Sequence, residues 1–353
     1  MTQVRLDVSE VTSASGINGE LQAFHTILKH ASVSAPFATL MGISGLAFRN
    51  FWHVGKEEDG TFGTWSDSSL EAAAGMAPLF MACQWVGWVY TPYHQNSLDE
   101  LYRRAKRTID AGIPGITRGP MGAPVPGLII GYAEDKTRKL DFLSRNAGST
   151  VTALEIPMVD IPLLEYGHWR NPLFVVEPGE PLAEGVREVL LLEAFGRCAE
   201  VRLDQDLDAG RWIGGVRVYE RIAADLESEE RLREVIPGLD EPDEGGDERV
   251  YLLGEYVTEL GRARGTAYEF LDTYAEDYPI DSVARLYETV YEDCQEMRAL
   301  LPDPETNYAA AHEAFFDASK RAEIAALLRK IAVNERKAAE IMQTKLDDLV
   351  PNE

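Results

Sequence analysis

Cysteine and histidine side chains can act as a nucleophile, a general base or a metal ligand. The chain contains three cysteines and six histidines. Its cysteines are widely separated, at Cys83, Cys198 and Cys294. The sequence therefore predicts neither a disulfide scaffold nor a zinc knuckle. His312 and Glu313 begin like a zinc-protease motif, but Phe316 stands where the second histidine belongs, so we predict no metal site.

Other partial motifs fall short of a nucleotide site or an activated nucleophile. Residues 119–127 are rich in glycine but interrupted by proline, and they lack the Lys-Ser/Thr ending that helps to cradle a phosphate. Ser44 lies between Gly42 and Gly45 but lacks the second glycine of a nucleophile elbow, so we interpret it as part of a turn. Cys83 could be a displaced nucleophile, although its apolar neighbours favour a buried and inert thiol. The sequence predicts no cofactor.

The charge of the chain narrows the range of its partners. Asp and Glu outnumber Lys and Arg by 59 to 34, which gives a formal charge of -25. A charge of this sign repels both the nucleic-acid backbone and anionic membrane surfaces. The N-terminus lacks the charged and apolar regions of a signal peptide, and no run of about 18 apolar residues occurs. We therefore expect a cytoplasmic protein that binds neither nucleic acid nor a membrane.

A helix within residues 18–30 is the first element that could position reactive groups. Its apolar face is formed by Leu21, Phe24, Ile27 and Leu28. Ser15 and Asn18 precede it as candidate caps. The N-terminus of a helix attracts negative charge and lowers a thiol pKa. Glu20 in the first turn is expected to stabilise the helix, whereas His25 lies over a turn later and is interpreted as a packed or surface histidine.

Helices and strands then follow in separate blocks. Capping-box spacings predict helices that start at Ser68 and Ser97, and the Trp-rich residues 81–90 predict a strand. Extended runs separated by turn residues predict further strands at residues 113–117, 127–132, 139–143, 151–156 and 173–176. Because strands and helices do not alternate regularly, we expect an α+β fold in which helices pack on one face of an antiparallel sheet.

The C-terminal half is predicted to be helical. Helices are expected at residues 182–198, 215–226, 250–274, 282–300, 308–316 and 320–349, with an acidic linker at 227–247. Two apolar stripes step by three and four residues, as in an antiparallel bundle. They consist of Val283, Leu286, Val290, Cys294 and Met297, and of Ile324, Leu327, Ile331, Glu335, Ala338 and Ile341. Such stripes could pack within the chain, against a partner or against a second copy. The predicted domains are 1–180, 181–247 and 248–353.

Several segments of the N-terminal half match one known family. Residues 42–48, Gly-Ile-Ser-Gly-Leu-Ala-Phe, fit the family segment "fGigsGlgf" without a gap, and Ile27-Leu28 fits the pair that closes the first helix. Residues 109–114 match the approach to a central strand, and residues 128–132 match the strand that ends in Gly-Tyr. Over about residues 15–230, the chain resembles the N-terminal domain of the butirosin biosynthesis protein H family, which is similar to papain-like cysteine peptidases.

The resemblance implies a papain-like fold, with a catalytic cysteine at the start of the first helix and a catalytic histidine at the start of the central strand. Counting from the matched segments puts the cysteine position at Gly19 and the histidine position at Val125 or Pro126. Both catalytic side chains are therefore absent from their family positions. The vacated cleft is predicted to be lined by Asn18, Gly19, Glu20, Ser44, Arg49, Cys83, Trp85 and Tyr132.

Three functions follow as hypotheses. The first is a non-catalytic papain-like protein that binds a small molecule or a peptide. The second is an acyltransferase or amide hydrolase with a relocated nucleophile, because the resemblance implies acyl transfer from a carrier protein to an amino sugar. Docking of an acidic carrier would require a local basic face, formed by Arg103, Arg104, Lys106 and Arg107. The third is homo-oligomerisation through the C-terminal helices.

Overall fold

The structure of the chain is a computed structural model. It describes residues 2–8, 19–53, 77–93, 98–118, 126–134, 138–144, 152–157, 165–166, 169–170, 173–180, 182–203, 205–207, 212–228 and 248–349. The chain divides into two compact units. The first contains Met1–Leu40 and Ala77–Arg187, and the second contains Met41–Met76 and Glu188–Glu353. Some predictions concern positions outside the described residues, namely Ser15, Asn18, Ser68, Ser97, Val125, residues 119–125 and residues 229–247.

The first unit contains a seven-stranded antiparallel sheet. Its strands are β1 (Thr2–Arg5), β3 (Trp88–Tyr93), β4 (Gly115–Arg118), β5 (Pro126–Glu134), β6 (Arg138–Ser144), β7 (Thr152–Pro157) and β10 (Leu173–Pro178). They run in the order β3-β10-β4-β5-β6-β7, and β1 pairs with β5. A separate pair is formed by β8 (Glu165–Tyr166) and β9 (Trp169–Arg170). The predicted antiparallel sheet is confirmed.

Helices cover this sheet on both faces. The helices before β4 are α1 (Gly19–His30), α2 (Phe37–Ile43), α3 (Ala77–Val86) and α4 (Leu98–Asp110), of which α2 continues into the second unit. Helix α4 lies on the face that carries Ile129 and Leu173, with which Leu101 and Ile109 form an apolar cluster. The helix predicted to start near Ser97 is thereby confirmed over Leu98–Asp110.

Helix α1 covers the opposite face. Phe174 and Ile116 are register partners that point away from α4, and both are fully buried. Trp88 in β3 shares this face, because alternate residues of a strand point the same way. Phe24 of α1 meets the Trp88 ring edge-on, with 5.9 Å between centroids, and α1 packs against β4 and β5. The prediction that the helices pack on one face of the sheet is therefore wrong, because α1 and α4 cover opposite faces.

The strand predicted over residues 81–90 is wrong in its first half. Helix α3 spans Ala77–Val86, and β3 begins only at Trp88. Residues 78–83 are all apolar or proline, and a short apolar run fits a buried helix as well as a buried strand. Gly87 separates the two elements with a φ of 73°, a conformation that glycine adopts without strain.

The second unit is mainly helical. Its helices are α5 (Glu184–Glu200), whose first turn belongs to the first unit, α6 (Arg217–Glu227), α7 (Glu248–Tyr274), α8 (Asp281–Leu300), α9 (Pro304–Phe316) and α10 (Ala318–Leu349). A small sheet contains β2 (Phe51–His53), β11 (Gln205–Leu207) and β12 (Trp212–Gly214). The predicted C-terminal helices are confirmed, and the chain as a whole has an α+β fold.

Helix α7 is the central helix of this unit. Residues 256–261 are all buried, over more than one full turn, and a helix buried on every side lies in the interior of its domain. Helices α8 and α9 pack on α7, and α10 packs on both α6 and α8. The predicted stripes face this interior, since Val283, Val290, Ile324 and Ile331 have no exposed surface. A single chain therefore covers both stripes.

Candidate functional site

The position that the resemblance assigns to the nucleophile is the first residue of α1. Gly19 is half-buried there, and Glu20 in the first turn is 4% exposed. A carboxylate in the first turn stabilises the positive end of the helix dipole. Pro126, one of the two positions assigned to the histidine, is the first residue of β5. Gly19, Glu20 and Pro126 thus supply neither a thiol nor an imidazole.

The three thiols of the chain are free and buried. Burial raises the pKa of Cys83 and of Cys294 far above the ordinary thiol value, and it raises the pKa of Cys198 to about 12. The Cys198 thiol also donates a hydrogen bond to the Tyr287 hydroxyl, with 3.7 Å between sulfur and oxygen. Because the thiolate is the reactive form, all three side chains are poor nucleophiles. The expected burial of Cys83 is confirmed.

Cys83 and Trp85 lie on helix α3, which packs against α1. Cys83 points inward and has no exposed surface. The Trp85 ring is half-buried, and the Arg187 guanidinium lies 5.8 Å from its centroid, within the range of a cation–π contact. Of the residues predicted to line the cleft, Gly19, Glu20 and Trp85 therefore lie on neighbouring helices of the first unit.

A β-bulge directs Tyr132 away from this region. The pairing of β5 with β6 skips Ile130, so β5 contains one extra residue. An extra residue shifts the alternation of side chains along a strand, and Tyr132 consequently joins Ile129 in the cluster beneath α4. Tyr132 and α1 lie on opposite faces of the sheet, so the structure does not bring Tyr132 together with Gly19 and Glu20.

Tyr132 instead fastens α4 to the sheet. Its hydroxyl donates to Asp110 Oδ1 at 2.6 Å, and this hydrogen bond raises the pKa of Tyr132. Lys106 Nζ lies 4.9 Å from the centroid of the Tyr132 ring and donates to Glu134 Oε2 at 2.8 Å. Tyr102 meets the same ring edge-on, with centroids 6.1 Å apart. These groups satisfy one another, so we assign the cluster a structural role.

Ser44 belongs to a turn in the second unit. Its hydroxyl donates to the Met41 carbonyl at 3.0 Å and accepts from the Leu46 amide at 3.4 Å. Gly45 follows with a φ of 78°, and a Cβ at Gly45 would lie 2.4 Å from Arg197 Cδ. Ser44 is 1% exposed and engaged with the backbone on both sides. The turn predicted at Ser44 is confirmed.

A fully buried arginine, Arg264, lies at the centre of the second unit. Its Nε donates to the Glu335 carboxylate, and its Nη2 donates to the same carboxylate at 3.2 Å and to the Tyr219 hydroxyl at 2.8 Å. Its Nη1 donates to the carbonyls of Ala47 and Arg49, at 2.8 and 3.0 Å. These contacts satisfy all five N–H groups of the guanidinium.

Arg264 and Glu335 compensate each other in surroundings without exposed surface. Burial alone would lower the pKa of Arg264, but the Glu335 carboxylate raises it well above its usual value. Burial raises the pKa of Glu335, whereas Arg264 and a hydrogen bond from Tyr219 act in the opposite direction. Because every guanidinium N–H already has an acceptor within the chain, we assign this centre a structural role and not a ligand-binding one.

Further contacts fix the segment 43–50, which contains the candidate pocket residue Arg49. Arg197 Nη1 donates to the Ile43 carbonyl at 2.6 Å. Asn50 Nδ2 donates to the Gly215 carbonyl at 3.2 Å, and Asn50 Oδ1 accepts from the Tyr256 hydroxyl at 3.0 Å. Arg49 contributes its backbone carbonyl to the Arg264 centre. Ser44 and Arg49 are therefore parts of the helical unit's framework.

The two histidines singled out in the sequence have packing roles. The His25 ring lies 5.4 Å from that of Phe37, and burial, followed by the charge of Lys29, lowers the pKa of His25 to about 4. His25 is therefore packed, which is one of the two alternatives that the sequence left open. The His312 ring lies 5.8 Å from Tyr308 and 4.6 Å from Phe316, centroid to centroid.

Two kinds of site are absent from the described residues, a metal-binding cluster and a membrane-spanning helix. Within them, no three His, Cys, Asp or Glu side chains are placed so that they could hold a metal ion. None of the helices in this part of the chain combines the length and the apolar composition that a bilayer crossing needs.

Only part of the Arg264 centre leaves a signal in the amino-acid sequence. Glu335 interrupts an otherwise apolar stripe of α10, and a charged residue at a core position implies a buried partner. The partner itself could not be identified, because α7 contains several charged residues at similar spacing. The carbonyls that Arg264 contacts lie 217 and 215 residues away along the chain, beyond the reach of any local pattern.

Comparison with known proteins assigns the chain to no family. No known protein-family model matches it, and no curated protein matches it significantly.

Proposed function

We propose that the chain is a non-catalytic protein whose first unit has a papain-like architecture and binds a small molecule or a peptide on the α1 side of its sheet. The observation that supports this most directly is the state of the cysteines, which are all buried with raised pKa values. Cysteine-peptidase chemistry needs an accessible thiolate at a helix N-terminus. Gly19 occupies that position here, at the start of a helix packed on an antiparallel sheet.

The side chains around the start of α1 favour a neutral or cationic ligand. Glu20 places negative charge in the first turn, where it offsets the positive end of the helix dipole and disfavours an anion. Trp85 lies on α3, the helix that packs against α1, and its half-buried ring is within cation–π range of Arg187. Gly19 adds no side chain of its own, so a ligand could approach the backbone closely.

The hypothesis of a relocated nucleophile has less support. Its main candidate, Cys83, has no exposed surface. The basic face required for an acidic carrier is partly neutralised, since Arg104 pairs with Glu100 at 3.1 Å and Lys106 pairs with Glu134 at 2.8 Å. Oligomerisation through the C-terminal stripes is likewise not required, because the stripes are buried within one chain.

A cysteine placed at either end of α1 tests the proposed architecture. Gly19→Cys puts a thiol at the N-terminus, and Lys29→Cys puts one on an exposed position in the last turn. We expect alkylation near neutral pH to be about tenfold faster at position 19, because a helix N-terminus lowers a thiol pKa. The wild-type chain, with three buried thiols, gives the background rate. Equal rates at the two positions would count against Gly19 as the family's nucleophile position.

Activity assays test whether the chain lacks catalysis, and binding assays test whether a ligand binds at the start of α1. Activated esters and thioesters of short acyl chains should show no turnover above background. Steady turnover that a single substitution abolishes would refute the non-catalytic assignment. Peptides that raise the unfolding temperature of the wild-type chain should lose this effect with Gly19→Trp, which fills the start of α1, and keep it with Lys29→Trp. Equal loss in both variants would place the binding site elsewhere.

A further inference from the structure

Residues 42–53 belong to the second unit but are far in sequence from the rest of it. Between this segment and Glu188 the chain passes through the first unit, Ala77–Arg187. Segment 42–53 contains one arginine and neither Asp nor Glu, whereas the chain as a whole has a formal charge of -25. No carboxylate of the segment therefore repels the acidic remainder of the chain.

Two aromatic side chains anchor the segment in the helical unit. Phe48 is buried and meets two rings edge-on, that of Phe270 on α7 and that of Tyr287 on α8, with centroids 6.1 and 5.5 Å apart. Trp52 meets the ring of Tyr256 on α7 edge-on, at 5.4 Å. Buried aromatic anchors of this kind account for much of the free energy with which peptides bind to proteins.

The backbone of the segment is bound along its length. Arginine side chains of α5 and α7 donate to three of its carbonyls. The Gly215 amide donates to the Asn50 carbonyl at 3.0 Å, and Asn50 Nδ2 donates to the Gly215 carbonyl at 3.2 Å. Residues 51–53 then pair with residues 212–214 of β12 as an antiparallel strand. Addition of a strand to a sheet is a recurring mode of peptide recognition.

Two glycines make the fit specific for the sequence of the segment. A Cβ on Gly42 would lie 2.2 Å from the Phe270 ring, and one on Gly45 would lie 2.4 Å from Arg197 Cδ. Gly45 also has a φ of 78°, which glycine adopts without strain. A peptide with larger residues at these two positions would clash with the helical unit.

We propose that the second unit contains a peptide-binding surface that recognises residues 42–53 through these contacts and not through the continuity of the chain. The surface is formed by Arg197, Gly215, Tyr256, Arg264, Phe270 and Tyr287. It fits a peptide without acidic side chains that has glycine at positions 42 and 45 and phenylalanine at position 48. The structural role of Arg264 is unchanged, because the occupant is a segment of the same chain. The surface is independent of the function proposed for the first unit.

A fluorescently labelled peptide of residues 41–53 tests this surface on the full chain. Phe48→Asp should release the chain's own segment, because it places a carboxylate between buried rings. Anisotropy should show that the peptide binds the Phe48→Asp chain about tenfold or more tightly than the wild-type chain, whose surface is already filled. Phe316→Asp, the same change at an exposed phenylalanine of the second unit, is the matched control and should bind like the wild-type chain.

A second peptide and a second chain variant complete the test. The peptide with Phe48→Ala lacks the aromatic anchor and should bind the Phe48→Asp chain about tenfold more weakly or worse. The chain variant Asn50→Ala loses two side-chain hydrogen bonds but keeps both aromatic anchors. If Phe48→Asp does not fold, Asn50→Ala should still bind the peptide more tightly than the wild-type chain does.

Two outcomes would overturn the proposal. One is a peptide affinity of the folded Phe48→Asp chain, or of Asn50→Ala in its place, no higher than that of the wild-type chain. The other is equal binding of the two peptides, which would show association that does not depend on Phe48.

Discussion

Replacing Arg264 with methionine is expected to lower the free energy of unfolding of the second unit by about 5 kcal/mol. The change leaves the Glu335 carboxylate buried without its cation, and breaking one side of a buried ion pair costs about 3–5 kcal/mol. It also removes the donor to the carbonyls of Ala47 and Arg49, and an unsatisfied buried acceptor costs about 1–3 kcal/mol. The costs overlap because one side chain serves all three acceptors, so the total lies near the upper end of the first range.

A double variant separates the ion pair from the carbonyl contacts. Glu335→Leu alone should cost about 3–5 kcal/mol, because it leaves the guanidinium buried without a counter-charge. Arg264→Met with Glu335→Leu removes both charges and leaves two carbonyls and the Tyr219 hydroxyl without the partners described above. We expect this double variant to cost about 2–4 kcal/mol in total. It should therefore be more stable than Arg264→Met alone.

Urea unfolding followed by far-ultraviolet circular dichroism measures these differences. Arg329→Met is the control, since Arg329 makes two hydrogen bonds of 2.5 and 2.6 Å to Glu227, but both side chains are nearly half exposed. Exposed pairs contribute about 1 kcal/mol or less. If Arg264→Met fails to fold, Glu335→Gln, which keeps an acceptor, still reports the loss of charge. A cost of Arg264→Met no larger than that of Arg329→Met would refute the reasoning.

Acid, tight packing and salt provide three further tests. The pKa of His25 falls from 6.5 to about 4 on folding. As the pH is lowered from 6.5 to 4, the unfolded chain binds this proton before the folded chain does, so the unfolding temperature should drop. A His25→Phe variant with the same drop would contradict this. Gly42→Ala should lower the free energy of chemical unfolding by about 1–3 kcal/mol, because its Cβ would lie 2.2 Å from the Phe270 ring. Gly196→Ala is the control, with no atom within 4 Å of its Cβ. It should stabilise α5 by about 0.5–1 kcal/mol. Added sodium chloride should raise the unfolding temperature of a chain with a charge of -25, since salt screens repulsion, and an unchanged temperature would argue against net repulsion.

The elements that the sequence predicted well are those whose side chains repeat with one clear period. The stripe of α8 returns every three or four residues, and α4 combines such a stripe with a capping signal, so both helices were predicted close to their observed bounds. The strands between residues 113 and 176 are short apolar runs bounded by turn residues, and they too were predicted. Residues 81–90 failed because an apolar run has no period that separates a buried helix from a buried strand.

The contents of the candidate cleft were harder to predict, because they depend on how strands and units are arranged. The extra residue Ile130 in β5 decides which face Tyr132 occupies, and a bulge leaves no mark in an alternating pattern of apolar residues. Ser44 and Arg49 stand close to α1 in the sequence, yet the chain passes into the second unit at Met41. Sequence proximity therefore overestimated the number of residues available to a single cleft.

Three arginines of the second unit bind backbone carbonyls of the same unit. Arg197, Arg264 and Arg321 all donate to backbone carbonyls at the ends of helices or turns; Arg321 does so to Leu226 and Phe315, at 3.2 and 3.0 Å. Those carbonyls have no partner within their own helix, and the helix dipole makes them attractive to a cation. The helical unit thus uses these cations to fasten its own backbone.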